Sequence, residues 1–128
     1  MPVPYRVLIV DDNPDFREST AVLLASLGQD ILVAGNGVEA LALCERDAPQ
    51  VVLMDLSMPG LNGHEVARLM RRVPHMQDAL LIAISGHDGP DDVQRSYQAG
   101  FQYHMAKPFD WTWFKAVLDS FANGKLDR

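Results

Sequence analysis

Five short apolar segments alternate with five helix-patterned ones along 128 residues. That alternation predicts an α/β fold: a doubly wound five-stranded parallel sheet with helices on both faces, since right-handed crossovers carry helices to either side. Two further observations agree. The apolar segments lack the in–out alternation of a half-solvated sheet, as strands covered on both faces do. Four of the five end at a polar residue, namely Asp11, Asp55, Ser85 or Lys107. In such sheets the site lies beyond the carboxyl ends of the strands.

The first strand is 6–10, Arg-Val-Leu-Ile-Val, stopped by Asp11, Asp12, Asn13 and Pro14. A helix follows over 14–27, where Phe16, Thr20, Leu23, Leu24 and Leu27 recur at helical spacing. Pro14 suits its first turn and Gly28 its exit. Residues 31–34 form strand two. Helix two is 38–46, with Val38, Leu41 and Ala42 inward, and it stops before Pro49. Strand three, 51–54, closes on Asp55, and turn chemistry follows through Met58, Pro59, Gly60, Leu61, Asn62 and Gly63. Helix three is 64–72, carrying Val66, Ala67, Leu69 and Met70. Strand four, 80–84, closes on Ser85 and Gly86. Helix four, 90–99, is polar and ends at Gly100; strand five, 101–105, runs out at Lys107 and Pro108. Helix five spans 110–122, with Phe114, Val117, Leu118 and Phe121 on one stripe and Asp110 as N-cap. Trp111 joins that stripe as core, and Trp113 lies about 100° off it, partly exposed.

No linker, repeat or low-complexity stretch interrupts this order. One domain is expected over 1–128, with its core at about 5–122. Hydrophobic residues make up 48% and charged residues 22% of the chain, which excludes disordered, collagen-like and coiled-coil classes. The net charge is -6 and no basic run occurs, which disfavours direct binding to nucleic acid or anionic membrane. Apolar runs such as 79–84 fall far short of the about 20 residues of a membrane span. The first residues lack a signal peptide's charged start and apolar stretch, so the expected location is the cytoplasm. Cys44, the single cysteine, sits among Ala40, Leu41 and Leu43 and reads as a packed hydrophobe.

The fold brings Asp11, Asp12, Asp55, Ser85 and Lys107 to one sheet edge. Three adjacent carboxylates repel, and a hard divalent cation relieves that repulsion. Mg²⁺ suits a few carboxylates plus waters and a phosphoryl oxygen. A lysine opposite the acids supplies charge for an anion. A serine hydroxyl can donate to a phosphoryl oxygen. Phosphoryl transfer needs little beyond such positioning and neutralisation. Each residue alone has an ordinary reading as loop, cap or turn; the five together are specific. Asp55 stands out because an acid directly after Val51, Val52, Leu53 and Met54 costs stability without a task.

Taken together, 8–12 (Leu-Ile-Val-Asp-Asp), 51–60 (Val-Val-Leu-Met-Asp-Leu-Ser-Met-Pro-Gly), 82–86 (Ile-Ala-Ile-Ser-Gly), Ala99-Gly100-Phe101 and Lys107-Pro108-Phe109 closely resemble the receiver domain of two-component response regulators. The resemblance spans about residues 6–121. It implies the flavodoxin-like strand order 2-1-3-4-5. It implies that Asp55 accepts a phosphoryl group from phosphohistidine of a sensor histidine kinase or phosphotransfer protein. It implies Mg²⁺ bound by Asp12, Asp55 and the Ser57 carbonyl, with Asp11 acting through water. Lys107 would pair with phosphoryl oxygens, and Ser85 would hydrogen-bond them and move on activation. Gly86 would leave room there, and the Lys107-Pro108 bond would be cis. Kinases would read the start of helix one at Asn13, Pro14 and Arg17. A homodimer or a target protein would use the face of helix four, strand five and helix five, with Trp113 as a contact. Phosphorylation would shift a two-state equilibrium near helix four.

Departures from the family pattern carry their own expectations. His104 stands three residues before Lys107, where the family usually has an aromatic switch residue, and Tyr103 faces the other side of the strand. The 100–108 segment is similar to receivers attached to hybrid histidine kinases. Ser57 and His87 occupy positions that elsewhere orient attacking water, so slow self-dephosphorylation is expected; a half-life of seconds would contradict it. His64, His75, His87 and His104 lack the paired spacing of a zinc site. Three rival readings are weaker. An aspartyl phosphohydrolase would need a second aspartate where Ser57 stands. A nucleotide or flavin binder would need a glycine loop after strand one, and Gly35-Asn36-Gly37 matches no such fingerprint. A phosphorylation-independent interaction module would not need every site residue. Nothing after 122 reads as an output domain, so a stand-alone regulator or a piece of a longer one is expected.

Overall fold

The computed structural model describes residues 5–58, 62–86 and 89–122. The elements are β1 (Arg6–Val10), α1 (Pro14–Ser26), β2 (Asp30–Ala34), α2 (Gly37–Asp47), β3 (Val51–Asp55), α3 (Gly63–Arg72), β4 (Leu80–Ser85), α4 (Pro90–Ala99), β5 (Tyr103–Ala106) and α5 (Trp111–Ala122), with a 3₁₀ turn at Pro74–Met76. All pairings are parallel, in the order β2-β1-β3-β4-β5. The predicted fold class and strand order are both present.

Period-two side chains split the core into two layers. Leu8, Val10, Val52, Met54, Leu81 and Ala83 face one way, against Ala40 and Cys44 of α2 and Val66, Ala67 and Met70 of α3. Val7, Ile9, Val51, Leu53, Ile82 and Ile84 face the other, against Leu24 of α1 and Phe114, Val117 and Leu118 of α5. Side chains thus cover both faces, and the strand ends are left to carry chemistry.

The starts of α1, α2, α3 and α5 are set by side chains that satisfy free amides. Asn13 accepts from the Asp15 and Phe16 amides, Asn36 from Glu39, Asn62 from Glu65, and Asp110 from Trp113 at 3.1 Å. Asp110 was the one cap predicted. Asn13 and Asn62 were read as loop and turn residues, and Asn36 was not read as a cap. Gly28 (φ +89°) and Gly100 (φ +113°) end their helices in the left-handed region, as expected.

Several predicted inner faces shift. Val38 is 81% exposed, and Ala42 is exposed. The inner stripe of α2 is Gly37, Ala40 and Cys44, with Leu41 and Leu43 flanking the core. Small residues let α2 lie close to the sheet, so the larger side chains point aside. Leu23 and Leu69 are exposed at the edges of their helices. Trp111 is half-buried rather than core. β5 starts two residues later than expected because the Phe101 amide bonds Ser96 O at 3.1 Å, closing α4.

Cys44 is fully buried, and burial pushes its thiol up from 9.0 to about 12. Between pH 9.0 and about 12 the native chain keeps a proton that the unfolded chain has lost, so this residue erodes stability as pH rises through that window. Native protein at pH 8 is expected to resist iodoacetamide and to react when unfolded in urea, as read by intact mass. Rapid alkylation of the folded chain would contradict the packing role.

Candidate functional site

The carboxyl ends of four strands converge as predicted. Asp11 follows β1, held by its amide to Ala34 O at 3.1 Å. Asp55 ends β3, Ser85 ends β4, and Lys107 follows β5. Carboxylate oxygens of Asp11, Asp12 and Asp55 lie within 4.8 Å of one another. Asp11 and Asp55 are each 4% exposed, whereas Asp12 is exposed. Among the described residues this is the cluster whose ligand atoms could hold a metal ion.

The local contacts fix each group. Asp55 Oδ1 accepts the Ser57 amide at 2.8 Å, and Lys107 Nζ donates to Asp55 Oδ2 at 3.2 Å. Asp11 Oδ1 accepts the Asn13 amide at 2.9 Å. Arg17 Nη1 donates to Asp11 O at 2.8 Å, so this residue, expected to face a kinase, also braces the acidic loop. The Lys107 amide bonds Ser85 O at 2.8 Å, which ties the serine and the lysine through the backbone. The Lys107-Pro108 bond is cis. A Cβ built on Gly86 would meet nothing within 4 Å, so that position is open.

Burial raises the pKa of Asp11. The Asn13 amide opposes that, the Asp55 charge adds to it, Lys107 lowers it and Asp12 raises it again. Placing a buried carboxylate beside two others disfavours its charged form, which is the condition a divalent cation reverses. The donors are hard oxygens, the set that Mg²⁺ takes. The cluster lines a cavity of about 800 Å³ together with Ser57 and Lys107.

The remaining predicted residues separate by face. Tyr103 packs edge-on to Trp113, with centroids 5.5 Å apart at 86°. Trp113 is therefore half-buried against β5. His104 points to the opposite face, where its Nδ1 lies 2.7 Å from Ser96 Oγ on α4. Ser96 is fully buried, and sequence reasoning missed it; the available signal was the small pair Ser96 and Ala99 in a polar helix. Nε2 of His75 meets Cys44 O at 2.8 Å. Nε2 of His64 is buried without a hydrogen-bond partner among the described residues. Burial, then Arg95, Arg68 and His104, lower the pKa of His64, and Asp92 opposes them. His87, one of the two water-orienting positions, and the Pro59-Gly60-Leu61 turn lie outside the described residues.

The chain is similar to known proteins. The family described as the response regulator receiver domain matches residues 7–119. Protein PilH of Pseudomonas aeruginosa is 33% identical over 105 residues, covering 82% of this chain and 87% of PilH. The CAI-1 autoinducer sensor kinase/phosphatase CqsS of Vibrio cholerae is 34% identical over 106 residues, 82% of this chain and only 16% of CqsS. The receiver domain of sensor histidine kinase PA1611 from Pseudomonas aeruginosa, solved with a magnesium ion coordinated in the active site cleft, gives a TM-score of 0.83 at 26% identity. That match covers 94% of this chain and 99% of the PA1611 domain. With an acidic triad, a lysine and a serine gathered at the carboxyl edge of a 2-1-3-4-5 sheet, the chain belongs to the response regulator receiver domains of two-component systems, a family of phosphoacceptor signalling switches.

Proposed function

We propose that Asp55 is the phosphoacceptor of this chain and that the donor is a phosphohistidine on a sensor histidine kinase or phosphotransfer protein. The observation that carries this reading is the setting of Asp55. It is nearly buried at a strand end, 3.2 Å from Lys107 Nζ, and within 4.8 Å of two further carboxylates. An Asp55 oxygen forms the new P–O bond as the donor's P–N bond breaks. Lys107 balances charge on the phosphoryl oxygens, and the Ser85 hydroxyl donates to one of them. Asp12, Asp55 and the Ser57 carbonyl would hold Mg²⁺ directly, and Asp11 through water. When bound, the ion neutralises negative charge shared by acceptor and phosphoryl group. The magnesium ion in the PA1611 receiver supports that assignment.

Residues 1–128 are read as one receiver domain. Of the described helices, none is long and apolar enough to cross a membrane. The reading places the chain in the cytoplasm, beside the catalytic parts of its kinases. Its output is a changed protein contact, with a target or a second copy, through α4, β5 and α5. α4 is lightly anchored: only Ser96 and Ala99 are buried, and its N-cap Gly89 makes no side-chain bond. A hydrogen bond between Ser96 and His104 ties α4 to β5. Ser96→Ala is expected to cost about 1 kcal/mol. It should also raise amide exchange in α4 while leaving α1 unchanged. Equal protection of α4 in both proteins would remove this bond from the output route.

Intact mass after incubation with phosphoramidate tests the acceptor reading. One phosphoryl group is expected with Mg²⁺ and none with a chelator. A folded sample that gains none under either condition would overturn the reading and favour an interaction module.

A further inference from the structure

The cavity above Asp55 has two unlike walls. One carries the acids and Lys107, and the proposed reaction uses it. The other is apolar: Phe16 from α1, Ile84 near the end of β4, and Pro108 and Phe109 between β5 and α5. Phe109 stands 6.2 Å from Phe16 between ring centroids, 4.6 Å from Trp111 and 5.5 Å from Phe114. Phe114 is fully buried, so the Phe109 ring rests on a fixed base. A ring already held in place loses little freedom when a ligand meets it.

In an in-line displacement the leaving group lies opposite the attacking oxygen. With phosphorus against Asp55, the leaving group extends away from that carboxylate into the cavity that Phe16 and Phe109 help to line. Resting on the acceptor reading of Asp55, we infer that Phe16 and Phe109 form a subsite for a flat aromatic leaving group and make the site discriminate for N-phosphoryl imidazoles over donors without a ring. The step balances with no further reactant. The P–N bond breaks as the Asp55 P–O bond forms, and its electron pair stays on the ring nitrogen. The proton already on the other ring nitrogen departs with it, so neutral imidazole is released. A neutral flat ring gains from an apolar aromatic surface, whereas ammonia released from phosphoramidate does not.

The test compares N-phosphoimidazole with phosphoramidate, both P–N donors, using the full chain with Mg²⁺ and timed intact-mass readings. Both donors are kept well below saturation, so each rate reports the transition state relative to free reactants. The readout is the ratio of the two second-order rate constants. Phe109→Leu and Phe16→Leu, which keep bulk and remove the ring, are each expected to lower that ratio about fivefold. Phe16 lies on the half-buried side of α1, so its variant stands if the Phe109 variant is poorly folded by circular dichroism. An unchanged ratio in the folded variants would overturn the subsite. A parent chain phosphorylated by neither donor would overturn the acceptor reading and the subsite with it.

Discussion

Asp55→Asn is expected to abolish phosphorylation, by at least about a thousandfold, as removal of a nucleophile does. The chain should remain folded, and the structure shows why. The carbonyl oxygen of an asparagine can still accept the Ser57 amide that Asp55 Oδ1 accepts at 2.8 Å. The substitution also removes one of three carboxylates that lie within 4.8 Å. Relief of that repulsion offsets loss of the Lys107 ion pair, whose lysine is 42% exposed and therefore screened. The melting temperature in chelator is thus expected to match or exceed that of the parent, while stabilisation by added Mg²⁺ shrinks. Lys107→Ala should be milder, at about a hundredfold loss of phosphorylation rate, because it removes charge stabilisation and leaves the nucleophile. Phosphorylation of the Asn variant at the parental rate would show that another residue is the acceptor.

Arg71→Met is expected to destabilise the fold by about 3 kcal/mol, measured by urea denaturation. This arginine sits at the opposite end of the sheet from Asp55 and joins five segments. Its Nε and Nη2 donate to Gly100 O at 3.1 and 2.7 Å, and Nη2 also donates to Gln102 Oε1 at 2.7 Å. Its Nη1 donates to Met76 O, Gln77 O and Ala79 O at 3.2, 3.1 and 2.8 Å. Methionine keeps the aliphatic stem that packs under Gly100, where a Cβ would meet Arg71 Cγ at 3.0 Å. The substitution therefore removes only the guanidinium and leaves several carbonyls short of a donor. Because one of those carbonyls belongs to Gly100, the residue whose amide caps α4, the loss should appear first as faster amide exchange at the C-terminal end of α4. A cost below about 1 kcal/mol would mean that water replaces the guanidinium without penalty.

Strand ends were legible because each apolar run stops at a residue that cannot be buried without a partner. Asp55 after Met54 is the clearest case. The topology rule then converts positions 11, 55, 85 and 107 into neighbours, so the acidic triad and its lysine could be read before any coordinates. Helix faces were less legible. In α2 the large residues Val38 and Leu41 drew the predicted stripe, but the sheet selected Gly37, Ala40 and Cys44 because small side chains permit close approach. Contacts between distant positions away from the strand ends were not legible. Ser96 is unremarkable in sequence and His104 stands out only as a departure from the family pattern; the packing of α4 on β5 brings them to 2.7 Å. Arg71 falls within the predicted 64–72 helix with no role assigned, and only the fold brings Gly100 and Gln102 beside it. The aromatic wall was visible only in part, since Phe16 was read as part of the helical spacing of helix one and Phe109 as part of a motif.

The most direct measurement is chemical location of the phosphoryl group. The chain is phosphorylated with phosphoramidate and Mg²⁺, reduced with borohydride, digested and sequenced by mass spectrometry. An aspartyl phosphate is an acyl phosphate, which borohydride converts to homoserine, while phosphoserine and phosphohistidine are left unreduced. Homoserine at position 55 and nowhere else is the expected result. Homoserine at position 11 or 12, or a phosphoryl group retained on Ser85, Ser57 or a histidine, would contradict Asp55 as the acceptor.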